Sequence, residues 1–231
     1  MTQVILSRKA RTQMVLRAGL APVILLILLF GLAGRWNYWQ GWVYVILNAF
    51  IVVLMGTVLT PNAGLIEERL NPKEGVKSWD KLYFALSTPL YIIAVALGGL
   101  DARFGWTTSM PAAVYWGGVA VYLVGQAIFL WARYTNNFFS SMVRIQTDRG
   151  QTVCKNGPYR YVRHPGYLGG FLFAASMGLV LGSWWASIPQ VIAALMLVWR
   201  SSLEDKTLQV ELPGYVEYTK QTKYRLVPGI W

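Results

Sequence analysis

The residues of this chain that could do chemistry fall in two polar islands set among long apolar stretches. The first, Arg144 to Tyr167, reads RIQTDRGQTVCKNGPYRYVRHPGY and brings Arg160, Arg163 and the only histidine, His164, together with Tyr159, Tyr161 and Tyr167. Asn156-Gly157-Pro158 marks a turn on backbone grounds. Cations, hydrogen-bond donors and aromatic faces packed into one segment suit an amphiphilic ligand with an anionic group. Lipid headgroup contacts and an interfacial aromatic belt would draw on the same residue types. The second island is Arg200-Ser-Ser-Leu-Glu204-Asp205-Lys206, directly continuing an apolar run. Arg200 and Glu204 are four residues apart, so on a helix they share a face. They either point together into one pocket or form an ordinary ion pair at a helix end; a place at the bilayer boundary favours the pocket.

The elements that must hold these islands are apolar. Of the 231 residues 55% are hydrophobic and 13% charged, about half the quarter usual in soluble domains. The single cysteine, Cys154, excludes an internal disulfide and a cysteine-built zinc site, and no metal site is expected. Uncharged stretches run over 18–34, 36–66, 82–100, 104–132 and 165–199, each filling or nearly filling a hydrocarbon core that takes roughly 20 helical residues. The first lacks a cleavage signature and reads as a retained span. The last would reach roughly 50 Å as one helix at 1.5 Å per residue, so a helical hairpin over about 166–182 and 186–200 is expected, turning near Gly182-Ser183. Pro189 then falls in the first turn of the second arm. The fold class is all-α: a polytopic membrane helix bundle of about six spans, ending in that hairpin.

Charge sets the orientation. Alternate inter-span segments hold 19 of the 21 Lys and Arg, the others only 2. The bias predicts that both termini and both polar islands are cytoplasmic, and its spread over separate loops argues against nucleic acid as a partner. Residues 1–17, with four cations among Val4, Ile5, Leu6, Met14 and Leu16, suggest an interfacial amphipathic helix. Glu67, Glu68 and Arg69 fall on one turn of a mixed-charge loop. In the first hairpin arm Gly170, Ala174 and Gly178 form a small-residue stripe suited to close helix packing.

The run Gly157-Pro158-Tyr159-Arg160-Tyr161-Val162-Arg163-His164-Pro165-Gly166-Tyr167-Leu168-Gly169, followed by Arg200-x-x-x-Glu204-Asp205-x-x-Leu208 and Gly214-Tyr215-x-x-Tyr218, resembles the isoprenylcysteine carboxyl methyltransferase family. Phospholipid methyltransferases share a similar C-terminal signature. The resemblance covers roughly residues 130–228 and implies a single integral membrane methyltransferase domain, with N-terminal spans over 1–130 and a cofactor-binding and catalytic region over 131–231. It implies S-adenosylmethionine as cofactor. The cofactor-contacting positions would be Arg144, Gln151, Thr152, Val153, Cys154, Tyr159, His164, Pro165, Gly166, Tyr167 and Glu204, with Glu204 receiving the cofactor's amino group. Arg200 matches the arginine associated with substrate. Two positions depart from the family pattern: a glutamate pair is Glu204-Asp205 here, and a glutamine-type contact is Arg144.

Methyl transfer from a sulfonium is an in-line displacement, so the protein chiefly aligns the nucleophile and excludes water. A carboxylate acceptor needs no base, and Arg200 would hold it by paired hydrogen bonds. An amine or thiol would need one, and His164 is the available histidine. Expected partners are the lipid bilayer and a lipophilic or lipidated substrate, with no obligate protein partner. Competing activities are phospholipid N-methylation, thiol methylation and an NADPH-dependent reduction of the sterol type.

Overall fold

The computed structural model describes residues 8–59, 63–70 and 74–231. Its regular elements are helices: α1 (Arg8–Ala33), α2 (Trp39–Leu59), α3 (Ala63–Leu70), α4 (Ser78–Phe104), α5 (Ala112–Thr135), α6 (Pro165–Val180), α7 (Trp184–Glu211) and α8 (Tyr215–Gln221), with short 3-10 turns at Thr147–Arg149 and Gly157–Arg160. Among the described residues α2, α4, α5 and α7 are long and apolar enough to cross a membrane, and Gly19–Ala33 and α6 add two shorter apolar helices. Large apolar side chains such as Ile27, Ile46, Val53, Leu86, Ile188 and Leu195 are exposed on their outer faces. The chain is thus a polytopic helical membrane bundle. Helices serve because hydrocarbon offers nothing to backbone N–H and C=O groups.

Residues 8–17, part of the interfacial amphipathic helix expected over 1–17, are the first turns of α1, continuous with the span. No breaker separates Arg17 from Gly19, so helical hydrogen bonding continues into the span; residues 1–7 lie outside the described residues. The hairpin forms as expected. Gly182 turns it at φ 67°, a left-handed conformation open to glycine, and Ser183 caps α7 by accepting from Ala186 N at 3.0 Å. Its second arm starts at Trp184, two residues early, so Pro189 falls in the second turn of α7 rather than the first. The same helix continues to Glu211, carrying the whole second polar island.

Glycines bring α6 against both neighbours. A Cβ placed on Gly169 would lie 2.5 Å from Gly125 O of α5, so the α5 and α6 backbones touch there. On the other side, a Cβ on Gly178 would lie 2.3 Å from Ser187 N and one on Gly170 3.2 Å from a Leu197 methyl, so the small-residue stripe meets α7. Connections then sort to two ends of the bundle. At one end, the Asp101 carboxylate accepts from Thr107 N (2.6 Å), Thr107 Oγ1 (2.6 Å) and Ser183 Oγ (2.5 Å), while the Tyr38 hydroxyl donates to Leu181 O. The 136–164 loop, the start of α4 and the C-terminal tail meet at the other.

Candidate active site

Asp205 holds the loop end together. Its carboxylate is fully buried and accepts from Arg163 Nε and Nη2 (2.8 and 3.2 Å), Tyr215 Oη (2.9 Å), Gln209 Nε2 (2.8 Å) and Arg225 Nε (3.0 Å), with His164 Nε2 at 3.1 Å. Backbone bonds from Arg163 N to Tyr224 O and His164 N to Arg225 O, both 2.9 Å, lay the tail along the same motif. From α8, Tyr218 Oη donates to Tyr159 O at 2.7 Å. Loop, α7 and tail are thereby one unit. Burial beside the Asp205 carboxylate pushes the Tyr215 phenol far above its usual range, so it stays a hydrogen-bond donor.

One turn deeper, Arg200 Nε and Nη2 bond Asp80 of α4 at 2.6 and 3.2 Å, and Nη2 also reaches Ser141 O at 2.8 Å. Asp80 is fully buried and also accepts from Val143 N at 2.8 Å. The guanidinium carbon lies 4.7, 4.8 and 5.3 Å from the rings of Tyr83, Phe84 and Tyr167, within cation–π range. Arg200 is therefore not paired with Glu204. The two parallel hydrogen bonds expected to hold an acceptor carboxylate are made to Asp80, because that carboxylate arrives from the other side of the same pocket. Glu204 instead accepts a bond from the Tyr167 hydroxyl.

A cavity of about 530 Å³ joins these features. Arg144, Gln151, Thr152, Val153, Cys154, Tyr159, His164, Gly166, Tyr167, Arg200 and Glu204 all lie on its wall; Pro165 does not, and instead starts α6 at the first position. Arg160 and Tyr161 point outward, Tyr161 65% exposed. Arg144 bonds Glu68 of α3 bidentately at 2.7 and 2.6 Å and Asp148 at 2.9 Å. The hydrogen bonds it donates to Glu68 hold its guanidinium above its ordinary pKa, so this cation is already matched. Burial raises the Cys154 thiol and the Tyr159 phenol as well. Both stay neutral.

The cavity has two unlike ends. Its polar end lies among the loop, Glu204 and α8. Its other arm follows α7 inward past Leu197 and Ala193 to Gln190, roughly 15 Å beyond Arg200 at 1.5 Å per residue, walled by Phe129, Phe173, Ala174 and Tyr91. Gln190 is 3% exposed and its amide nitrogen has no hydrogen-bond partner. Sequence reasoning missed Asp80, Tyr83, Phe84, Arg69 and Gln190. The one local signal was Asp80, an acid at the mouth of an apolar run, closing a mixed-charge segment.

No curated protein matches the chain. Residues 113–211, from the start of α5 to the end of α7 and somewhat under half of the chain, match the family model described as phospholipid methyltransferase.

Proposed function

We propose that the chain transfers a methyl group from S-adenosylmethionine to a lipophilic acceptor, a carboxylate by the sequence resemblance, at the cytoplasmic membrane face. The observation that carries this reading is the single cavity whose polar end abuts the methyltransferase motif and whose apolar arm runs into the helical bundle. Water-soluble and lipid-borne reactants could meet in it. Its walls come from both sides of residue 130, which supports one domain. The charge bias of the loops supports cytoplasmic termini.

The donor set suits the cofactor. Among the described residues Glu204 is the one carboxylate on the cavity wall, and its partner there is the neutral Tyr167 hydroxyl, leaving its charge for a cationic amino group. Gln151 to Cys154, Tyr159 and the His164 to Tyr167 run would line the remainder. The cofactor supplies an electrophilic methyl group. Arg200, fixed by Asp80, keeps Nη1 for the acceptor and orients it by one hydrogen bond instead of two. For an amine or thiol acceptor, His164 can donate from Nε2 to Asp205 and keep the Nδ1 lone pair as base. Packing of α8 and the tail against the loop excludes water from the polar end.

Calorimetry with S-adenosylhomocysteine and thermal unfolding with NADP test the cofactor. Binding of the former is expected; stabilisation by NADP alone would replace this reading with the reductase. Labelled methyl groups should appear in a lipid extract, and their confinement to water-soluble products would reject a lipophilic acceptor. Arg200→Ala is expected to abolish transfer while largely sparing S-adenosylhomocysteine affinity. Adding Asp80→Asn removes the stranded carboxylate and serves as its folded control.

A further inference from the structure

Arg144 is matched by Glu68 and Asp148, Arg163 and Arg225 by Asp205, and Arg200 by Asp80. Arg69 and Arg133, near the same pocket, are not matched. Arg69, in the last turn of α3, lies on the cavity wall with Nη1 3.0 Å from Phe139 O and its guanidinium carbon 5.9 Å from the Phe139 ring. Arg133, in the last turn of α5, is 9% exposed; its Nη1 lies 2.9 Å from the Met55 sulfur, a weak acceptor, and its Nε has no partner. Among the described residues, which include all ten Asp and Glu of the chain, neither guanidinium forms an ion pair. They also stand near like charge, Arg69 beside Arg200 and Arg133 beside Arg69. Desolvation brings Arg69 down to about 10, still charged at neutral pH.

A buried cation without a counterion is costly, and carbonyls at the ends of α3 and α5 offset it only in part. An anion supplied from outside the chain would complete the site. The position selects the anion's carrier: Arg69 faces the cavity between the polar end and the apolar arm, so an anion bonded there would leave an attached hydrocarbon tail directed along α7 toward Gln190.

We propose that Arg69, backed by Arg133, is the anion-binding subsite of this cavity, and that it takes an amphiphile bearing a phosphate or carboxylate whose tail fills the apolar arm. The inference rests on the cavity being the acceptor site of a methyltransferase and names the acceptor's class. It adds a charged contact at Arg69 to the single hydrogen bond left to Arg200, whose charge Asp80 neutralises.

The test uses the full chain in neutral maltoside micelles, with dodecyl phosphate, dodecanol and inorganic phosphate as probes of thermal unfolding. Dodecyl phosphate should stabilise the wild type more than dodecanol or inorganic phosphate, and added salt should weaken it. Arg69→Gln should bind it about tenfold more weakly, the loss of one charge-assisted bidentate contact, and Arg69→Lys should fall between. Equal stabilisation of wild type and Arg69→Gln overturns the subsite. Inorganic phosphate acting as strongly as dodecyl phosphate overturns the amphiphile and leaves a soluble anion. Should Arg69→Gln not fold, the salt dependence and probe ranking on the wild type decide by themselves. S-adenosylhomocysteine binding, measured alongside, separates the two readings: its failure in the wild type removes the methyltransferase assignment, whereas its retention with no response to dodecyl phosphate removes only the anion subsite.

Discussion

Glu204 and Asp205 are neighbours on α7 and nearly identical in chemistry, yet the fold uses them oppositely. Asp205 is fully buried and bonded by Arg163, His164, Gln209, Tyr215 and Arg225. Glu204 is half-buried on the cavity wall with the Tyr167 hydroxyl as its partner. A rotation of about 100° between successive helical residues separates them. One carboxylate has spent its lone pairs on the protein and ties three segments into a unit; the other has kept most of its capacity for a ligand. The acidic pair is therefore a buried clamp beside a carboxylate that faces the cavity, not two copies of one role.

The largest expected effect breaks the clamp. Asp205→Ala strands Arg163 in a buried site and should cost roughly 3–5 kcal/mol in unfolding free energy, read by thermal or denaturant unfolding in detergent; wild-type stability in this variant would remove the clamp from the account. Glu204→Ala should leave unfolding nearly unchanged and weaken S-adenosylhomocysteine by about tenfold or more, on the order of the 1.5–3 kcal/mol of a charged hydrogen bond. Unaltered affinity by calorimetry would dissociate Glu204 from the cofactor. Tyr167→Phe tests whether the hydroxyl orients Glu204: about 1 kcal/mol of cofactor affinity should be lost, and a gain would mean the hydroxyl competes with the ligand. The smallest change is expected for Gln209→Ala, about 0.5 kcal/mol of stability, because four other residues still bond Asp205. A loss as large as that of Asp205→Ala would show the hub to be less redundant than it looks.

Much of this could be read before any coordinates. The hairpin turn at Gly182-Ser183, the helical continuation through Glu204 and the α3 turn carrying Glu67, Glu68 and Arg69 follow from local pattern, and ten of the eleven expected cofactor positions lie on one cavity wall. Partners across the bundle could not be read. Asp80 and Arg200 are 120 residues apart and Glu68 and Arg144 are 76 apart, and neither pairing leaves a mark in spacing. The continuity of residues 8–17 with α1 was missed because charge pattern speaks to polarity and not to where a helix stops.

The amino-acid order by itself determined the helices, their membrane character and the sorting of polar segments to one end, since hydrocarbon length, backbone hydrogen bonding and charge placement act locally along a chain. Tertiary structure alone decided which charges are cancelled and which face the cavity. That choice depends on what each side chain meets across the bundle, where a buried ion is stable only against a counter-charge brought from elsewhere in the fold. It is why Arg200 is tied to Asp80 while Arg69 and Glu204 still face the cavity.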